Sequence, residues 1–423
     1  MKSDVERRAI RRISWRLLPL IVVIYFVAYI DRSNVGFAAL DMNKDLGFSA
    51  YLFGWGAGIF FLGYFFFEVP SNLVLERVGA RRWIARIMVT WGLVSGAMAF
   101  VQGPISFLTV RFLLGVAEAG FFPGVLLYFT YWFPAEYRAR VVSAIFIAAP
   151  ASNAVSATLS GAILETMNGV WGLAGWKWMF ILESAPAVLL APVVLKVLTD
   201  KPALATWLPA DERAWLDQRL GEERARIEDR KKLTLREALT DRRVLLLSMV
   251  YLTIVTATYG ITFFLPLIVK SHGFSNMDTG LITAVPYTLG VVGLIIWSRS
   301  SDLRNERRWH YVIGAAVAAV GFVGVAMGIS PVVSLISMSI AAIGLYGCKP
   351  PLWAVPSQFL SGTAAAGGIA LMNSIGNLGG FVGPYVVGWI RESTKSYEAG
   401  LYFLAACAAA SAVIALVVIP RRP

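Results

Sequence analysis

The fold class predicted is an all-α membrane protein: twelve transmembrane helices in two six-helix, pseudo-symmetric halves, with both termini cytoplasmic. Three observations predict it. Of 423 residues, 57% are apolar and only 15% are charged, against roughly 25% charged in a soluble chain, and the mean hydropathy is +0.65. Twelve helices of about 20 apolar residues each fit this length if the loops are short. A single long hydrophilic segment, residues 199–242, divides the apolar runs six and six. Finally, the basic residues are one-sided. When the runs are threaded alternately across a bilayer, 28 of the 38 Lys and Arg fall on one side and 5 on the other. Basic loops stay cytoplasmic, so that side is inside. The pI of about 9.8 is thereby explained by topology, with no nucleic acid as partner.

The first half, residues 1–198, opens on a basic stretch with Arg7, Arg8, Arg11 and Arg12 that leads into an apolar run at 17–39. The run is long and no cleavable signal is evident, so it reads as the first span. Further runs follow at 50–73, 83–102, 106–129, 141–164 and 178–198. The segment 199–242, which carries Asp211, Glu212 and Arg213, is a helix-friendly cytoplasmic loop. The second half, 243–423, repeats the count with runs at 243–268, 279–299, 309–328, 332–359, 364–389 and 398–420. Pro123, Pro150, Pro286 and the pair Pro350-Pro351 are expected to bend or break their helices. The glycines of spans two and eleven, among them Gly54, Gly58, Gly376 and Gly383, permit close helix contact. Each half also carries one matching loop. Glu76-Arg77-Val78-Gly79-Ala80-Arg81-Arg82 follows span two and Asp302-Leu303-Arg304-Asn305-Glu306-Arg307-Arg308 follows span eight, each with an acid five residues before an Arg pair. Two parallel six-helix halves are the plan of a rocking secondary transporter.

These loops, with Asp31-Arg32-Ser33-Asn34, Glu68-Val69-Pro70-Ser71-Asn72, Gly175-Trp176-Lys177-Trp178, Ser301-Asp302, Trp309-His310 and the run Asn373-Ser374-Ile375-Gly376-Asn377-Leu378-Gly379-Gly380, carry a resemblance over nearly the whole chain. The sequence resembles the major facilitator superfamily and, within it, the anion:cation symporters whose bacterial members include tartrate, phthalate and galactonate permeases. The resemblance implies proton-coupled uptake of an organic anion in the bacterial cytoplasmic membrane. It implies that Asp31 and Glu118 match acids used for proton coupling. It also implies that Glu76, Arg81, Asp302 and Arg307 gate the carrier, the two loops clasping the opposite half when the outer side is open. Tyr64 and Asn373 match substrate contacts, and Glu68 and Glu183 match positions read here as structural charges.

The residues themselves point the same way. Apart from Arg243 and Arg299 at the very ends of their runs, counted with the adjoining loops, five basic residues lie inside spans. Arg86 and Lys196 sit near helix ends and can snorkel, whereas Arg32, Arg111 and Lys349 are deeper, where an unpartnered charge is costly. Arg32 lies roughly 22 Å from the inner side and Arg111 roughly 8 Å from the outer, counted at 1.5 Å per residue. In a core of about 30 Å these depths coincide, so two planar guanidiniums are expected at one level, a fit for carboxylate. Asp31 points about 100° away from Arg32 around the helix, and Glu118 follows Arg111 by two turns on one face. A carboxylate beside Arg switches between an ion pair and a protonated acid, which is a means of coupling. Lys349, in Gly347-Cys348-Lys349-Pro350, places a cation in the second half. That favours a dicarboxylate over a sugar acid or hydroxy-monocarboxylate. Asn153, Asn373, Asn377 and Trp353 are the remaining polar groups expected to line the site.

The composition argues against other classes. No nucleotide-binding loop, nucleophile–His arrangement or His cluster is present; the two histidines, His272 and His310, and two cysteines, Cys348 and Cys407, are scattered. No enzyme, cofactor or metal is expected, and the chain is expected to act as a monomer. An anion exchanger and a non-transporting sensor are the rival readings.

Overall fold

The computed structural model describes residues 4–229, 235–356, 360 and 362–420; residues 230–234 of the expected central loop and 357–359 of the tenth run lie outside them. The first half comprises α1 (Asp4–Asp45), α2 (Ala50–Val78), α3 (Ala80–Ala97), α4 (Pro104–Glu118), α5 (Phe121–Trp132), α6 (Ala135–Thr166) and α7 (Gly175–Val197). Two helices, α8 (Ala210–Asp229) and α9 (Leu235–Thr240), belong to the central segment. The second half comprises α10 (Arg242–Lys270), α11 (Asn276–Leu303), α12 (Arg308–Ala326), α13 (Pro331–Gly347), α14 (Lys349–Trp353), α15 (Gly362–Asn377), α16 (Gly379–Thr394) and α17 (Glu398–Val418). Among the described residues, eleven stretches are long and apolar enough to cross a membrane. The eleventh run is the exception, because it is delivered as two 16-residue helices, α15 and α16.

Helix starts follow side-chain chemistry. Ser49 accepts from the Leu52 amide at 3.2 Å and Ser275 from the Asp278 amide at 3.0 Å. Asp241 takes the amides of Arg243 and Val244 at 2.7 and 3.3 Å. Each satisfies amides that a helix N-terminus leaves without partners.

Besides the eleventh run, which is interrupted at Leu378, two spans are broken, and proline explains these two. A proline lacks an N–H and its ring collides with the carbonyl four residues earlier. Pro123 therefore disrupts the helix at Ala119, which is extended (ψ 135°), and Gly120, which takes φ 84°. The break ends α4 on Glu118. Pro350 and Pro351 act in the same way on Tyr346 and Gly347, so α13 ends at Gly347 and α14 starts after Cys348. Pro150 and Pro286, also expected to bend or break, stay inside the continuous helices α6 and α11.

Call the side where α1 starts the near face and the other the far face. At the far face two crossings close the seam between halves. A Cβ on Gly58 of α2 would stand 2.9 Å from the Phe381 carbonyl of α16, and one on Gly161 of α6 would stand 2.7 Å from the Asn276 carbonyl of α11. Backbones approach this closely only where side chains are absent. At the near face α8 is fastened to the first half. Arg8 pairs with Asp211 at 3.0 Å and Arg12 with Glu212 at 2.9 Å. Arg138 pairs with Glu223 at 2.8 Å and Arg219 with Glu136 at 2.9 Å.

Candidate substrate site

Arg32 stands at the centre, between the halves. Its Nη2 donates to Glu118 Oε1 and its Nη1 donates to Tyr259 Oη at 3.1 Å, the tyrosine coming from α10. Its guanidinium lies 5.0 Å from the ring centre of Tyr29, 5.3 Å from Phe60 and 5.6 Å from Tyr64. The rings' negative faces attract the cation, and Glu118 and Tyr64 are both buried. Glu118 can reach Arg32 because it is the last residue of α4 before the break that Pro123 causes.

Arg111 departs from the expectation of two guanidiniums facing a ligand. It lies 5.3 Å from the centre of the same Phe60 ring, so the depth argument brings the two arginines close. Its fork, however, is spent on backbone. Nε donates to Gly56 O at 3.0 Å and Nη2 to Ala57 O at 3.2 Å. The residue is fully buried, and Nη1 has no partner among the described residues. Arg111 thus braces α4 against α2, and Glu118 pairs with Arg32 instead of Arg111.

Asp31 also faces elsewhere. Its carboxylate accepts from Trp91 Nε1 at 2.8 Å and Ser95 Oγ at 2.7 Å, both on α3. This is the 100° offset from Arg32 realised: one residue faces the seam between halves and its neighbour faces the interior of the first half. Glu183 is likewise held inside that half, by Ser160 Oγ at 2.6 Å.

The second half contributes the opposite wall. Asn153 of α6 donates to Tyr346 Oη at 2.9 Å, and Lys349 Nζ lies 4.8 Å from the Tyr346 ring centre. No ion pair to Lys349 occurs among the described residues. Trp353 packs against Tyr251 at 5.0 Å, Phe146 at 6.1 Å and Phe122 at 6.4 Å between ring centres. Asn373 donates to Glu68 Oε1 at 2.7 Å, and Ser374 donates to Glu68 Oε2 at 3.1 Å. Glu68, read as a structural charge near the end of span two, is therefore a buried contact between the halves. Asn377, one turn on, is half-buried at the end of α15.

Among the described residues, no ion pair joins the loop charges to the opposite half in this arrangement, whose far face is closed. Arg307 Nη1 pairs with Asp302 at 2.5 Å inside its own loop. The backbone amide of Arg81 donates to Asp200 at 2.8 Å, and Glu76 lines a near-face cavity of about 520 Å³ together with Asp200 and Asp217.

Sequence reasoning missed Tyr29, Tyr259, Tyr346 and Ser374. Tyr29 had a signal, since it precedes Arg32 by three residues and so shares its helix face. Tyr259 and Tyr346 had none: nothing local separates them from the other tyrosines among the chain's 15.

Residues 21–384 match the family model described as Major Facilitator Superfamily. The chain is 51% identical over 423 residues, all of this chain and 97% of the other, to a protein of Agrobacterium vitis named "Putative tartrate transporter". It is 43% identical over 407 residues, 95% of this chain and 92% of the other, to the quinolone resistance transporter of Acinetobacter baumannii. In structure it is similar to the partially occluded, inward-open xylose transporter XylE from E. coli, with a TM-score of 0.75 over 96% of this chain and 99% of that one at 13% identity. The expectations of a multi-pass membrane transporter and of no enzyme activity hold, and the chain belongs to the major facilitator superfamily.

Proposed function

We propose that this transporter is a proton-coupled symporter that imports a dicarboxylate of the tartrate type, as a monomer with cytoplasmic termini. One observation carries the proposal: a cation in each half, Arg32 and Lys349, stands near the seam. The first is neutralised by one carboxylate, Glu118, and the second by none among the described residues. A substrate carboxylate that displaces Glu118 from Arg32 needs Glu118 to take up a proton, since two carboxylates on one guanidinium repel. Proton and anion then enter together. The second carboxylate reaches Lys349, Asn373 donates to the carboxylate held by Arg32, and Asn153, Asn377, Tyr64 and Trp353 surround the carbon skeleton. Arg111 positions Glu118 by bracing α4. The 51% identical relative named for tartrate supports the choice of substrate.

Proteoliposomes loaded at pH 7.5 and diluted to pH 6.5 test this. Accumulation of labelled tartrate above equilibrium, abolished by a protonophore, is the expected result. Equilibration without accumulation indicates exchange or facilitated diffusion and refutes symport.

A further inference from the structure

Glu68 has no part in the scheme above, yet its carboxylate is engaged by Asn373, which that scheme assigns to the substrate, and by the neighbouring Ser374. It is buried on α2, and both its oxygens accept from the other half: Oε1 from Asn373 Nδ2 at 2.7 Å and Oε2 from Ser374 Oγ at 3.1 Å. The charged and titratable groups that feel it are Arg32 from α1, Tyr64 from α2 itself and Tyr251 from α10. None of them bonds to it; Arg32 is committed to Glu118 and Tyr259. Its position along the seam matters. From the far face, α2 and α16 touch at Ala50–Gly388, Gly54–Pro384 and Gly58–Phe381, then at Phe61–Gly380. The Glu68 bonds come next, two turns nearer the near face, and they replace small-residue packing with a polar contact.

We propose that Glu68 is a resident carboxylate: in the substrate-free carrier it occupies Asn373 and Ser374 and so latches the halves, and a substrate carboxylate competes with it for them. The proposal rests on Asn373 being a substrate contact. A neutral amide offers a carboxylate two N–H donors, and one is already taken. A second anion arriving at Asn373 meets the charge of Glu68 in a setting with little screening. Binding therefore requires Glu68 to turn away or be neutralised, and either event loosens this polar tie between α2 and α15. Substrate entry and release of the seam become a single event.

Purified full-length protein in nanodiscs tests this in two arms. In the first, tartrate binding is measured by calorimetry at pH 8. E68Q keeps an oxygen for Asn373 but removes the competing charge, and its Kd is expected to fall about tenfold, the scale of one charge-assisted hydrogen bond. An unchanged or raised Kd in folded E68Q overturns the competition. In the second arm, without ligand, spin labels on the exposed near-face residues Leu204 and Leu303 report the separation of the halves. E68A is expected to shift the distances longer than wild type, with E68Q in between. Identical distributions in all three overturn the latch. If the wild-type protein binds no tartrate, the substrate reading falls and the competition falls with it, while the label distances still decide the latch.

Discussion

Replacing Glu118 with Gln separates coupling from binding. In the structure the Glu118 side chain is 2% exposed and that of Arg32 11%, so water does little to screen their attraction. Gln retains an oxygen that accepts from Arg32 Nη2 but carries neither charge nor exchangeable acid proton. A hydrogen bond to a charged group contributes about 1.5–3 kcal/mol and a neutral one about 1 kcal/mol. The variant thus releases on the order of 0.5–2 kcal/mol of Arg32's attraction for anions. At 1.4 kcal/mol per tenfold, tartrate should bind roughly tenfold tighter, with little dependence on pH. Transport should change in the opposite sense. One coupled proton and a gradient of one pH unit supply about 1.4 kcal/mol, a ceiling of roughly tenfold accumulation. E118Q should accumulate nothing above equilibrium and still exchange internal for external tartrate. Counterflow and proton-driven uptake in the same proteoliposomes make the comparison. Wild-type accumulation by E118Q, or equal loss of counterflow, refutes the coupling role.

Three further outcomes are expected. K349A should lose preference for tartrate over its monoamide, by about the tenfold that one charge-assisted hydrogen bond provides; competition assays with both ligands read this, and unchanged preference rejects a second carboxylate site. R111K should unfold at a lower temperature, because one ammonium replaces a fork that bonds Gly56 and Ala57, at a cost of about 2 kcal/mol. Its tartrate Kd should stay within a few-fold of wild type, and a large rise in Kd at unchanged Tm makes Arg111 a direct ligand. E306Q addresses pH. Burial alone raises the Glu306 carboxyl, but bonds from the Trp309 amide and from the ring and amide of His310 outweigh it and hold it below the usual carboxylate range. A lowered folded-state value gives stability that is present above the ordinary carboxylate pKa and lost as pH falls through the folded one. Tm of E306Q should therefore sit below wild type at neutral pH and converge with it under strongly acidic conditions.

Local periodicity and charge carried most of the fold. Apolar runs located most helices within a few residues, though α1 begins well before its run and the eleventh run is two helices, and Pro123 and Pro350-Pro351 marked two of the breaks. Pro150 and Pro286 show the limit, since both lie inside helices that run on unbroken. The site was legible where chemistry is costly: a lone Arg32 or Lys349 among apolar neighbours announces itself. Pairing was not legible, because it depends on rotation about helix axes. Glu118 lies two turns from Arg111 on one helix yet bonds Arg32 on another, and Asp31 faces away from the residue beside it. Contacts across the seam, such as Glu68 with Asn373, join residues some 300 positions apart, and no local pattern encodes them.

The two far-face crossings carry a consequence of their own. One joins the second span to the eleventh and the other the fifth to the eighth, and exchanging the halves turns each pair into the other. The seam thus has the logic of an isologous interface, in which a patch meets its own counterpart, folded into one chain. In a true homodimer a single substitution strikes both copies at once. Here Gly58 and Gly161 can vary independently, so one hinge can tighten or slacken while its counterpart stays unchanged. Gene duplication and fusion would give such a carrier freedom to become asymmetric, with a carboxylate that takes up the proton, Glu118, in one half alone.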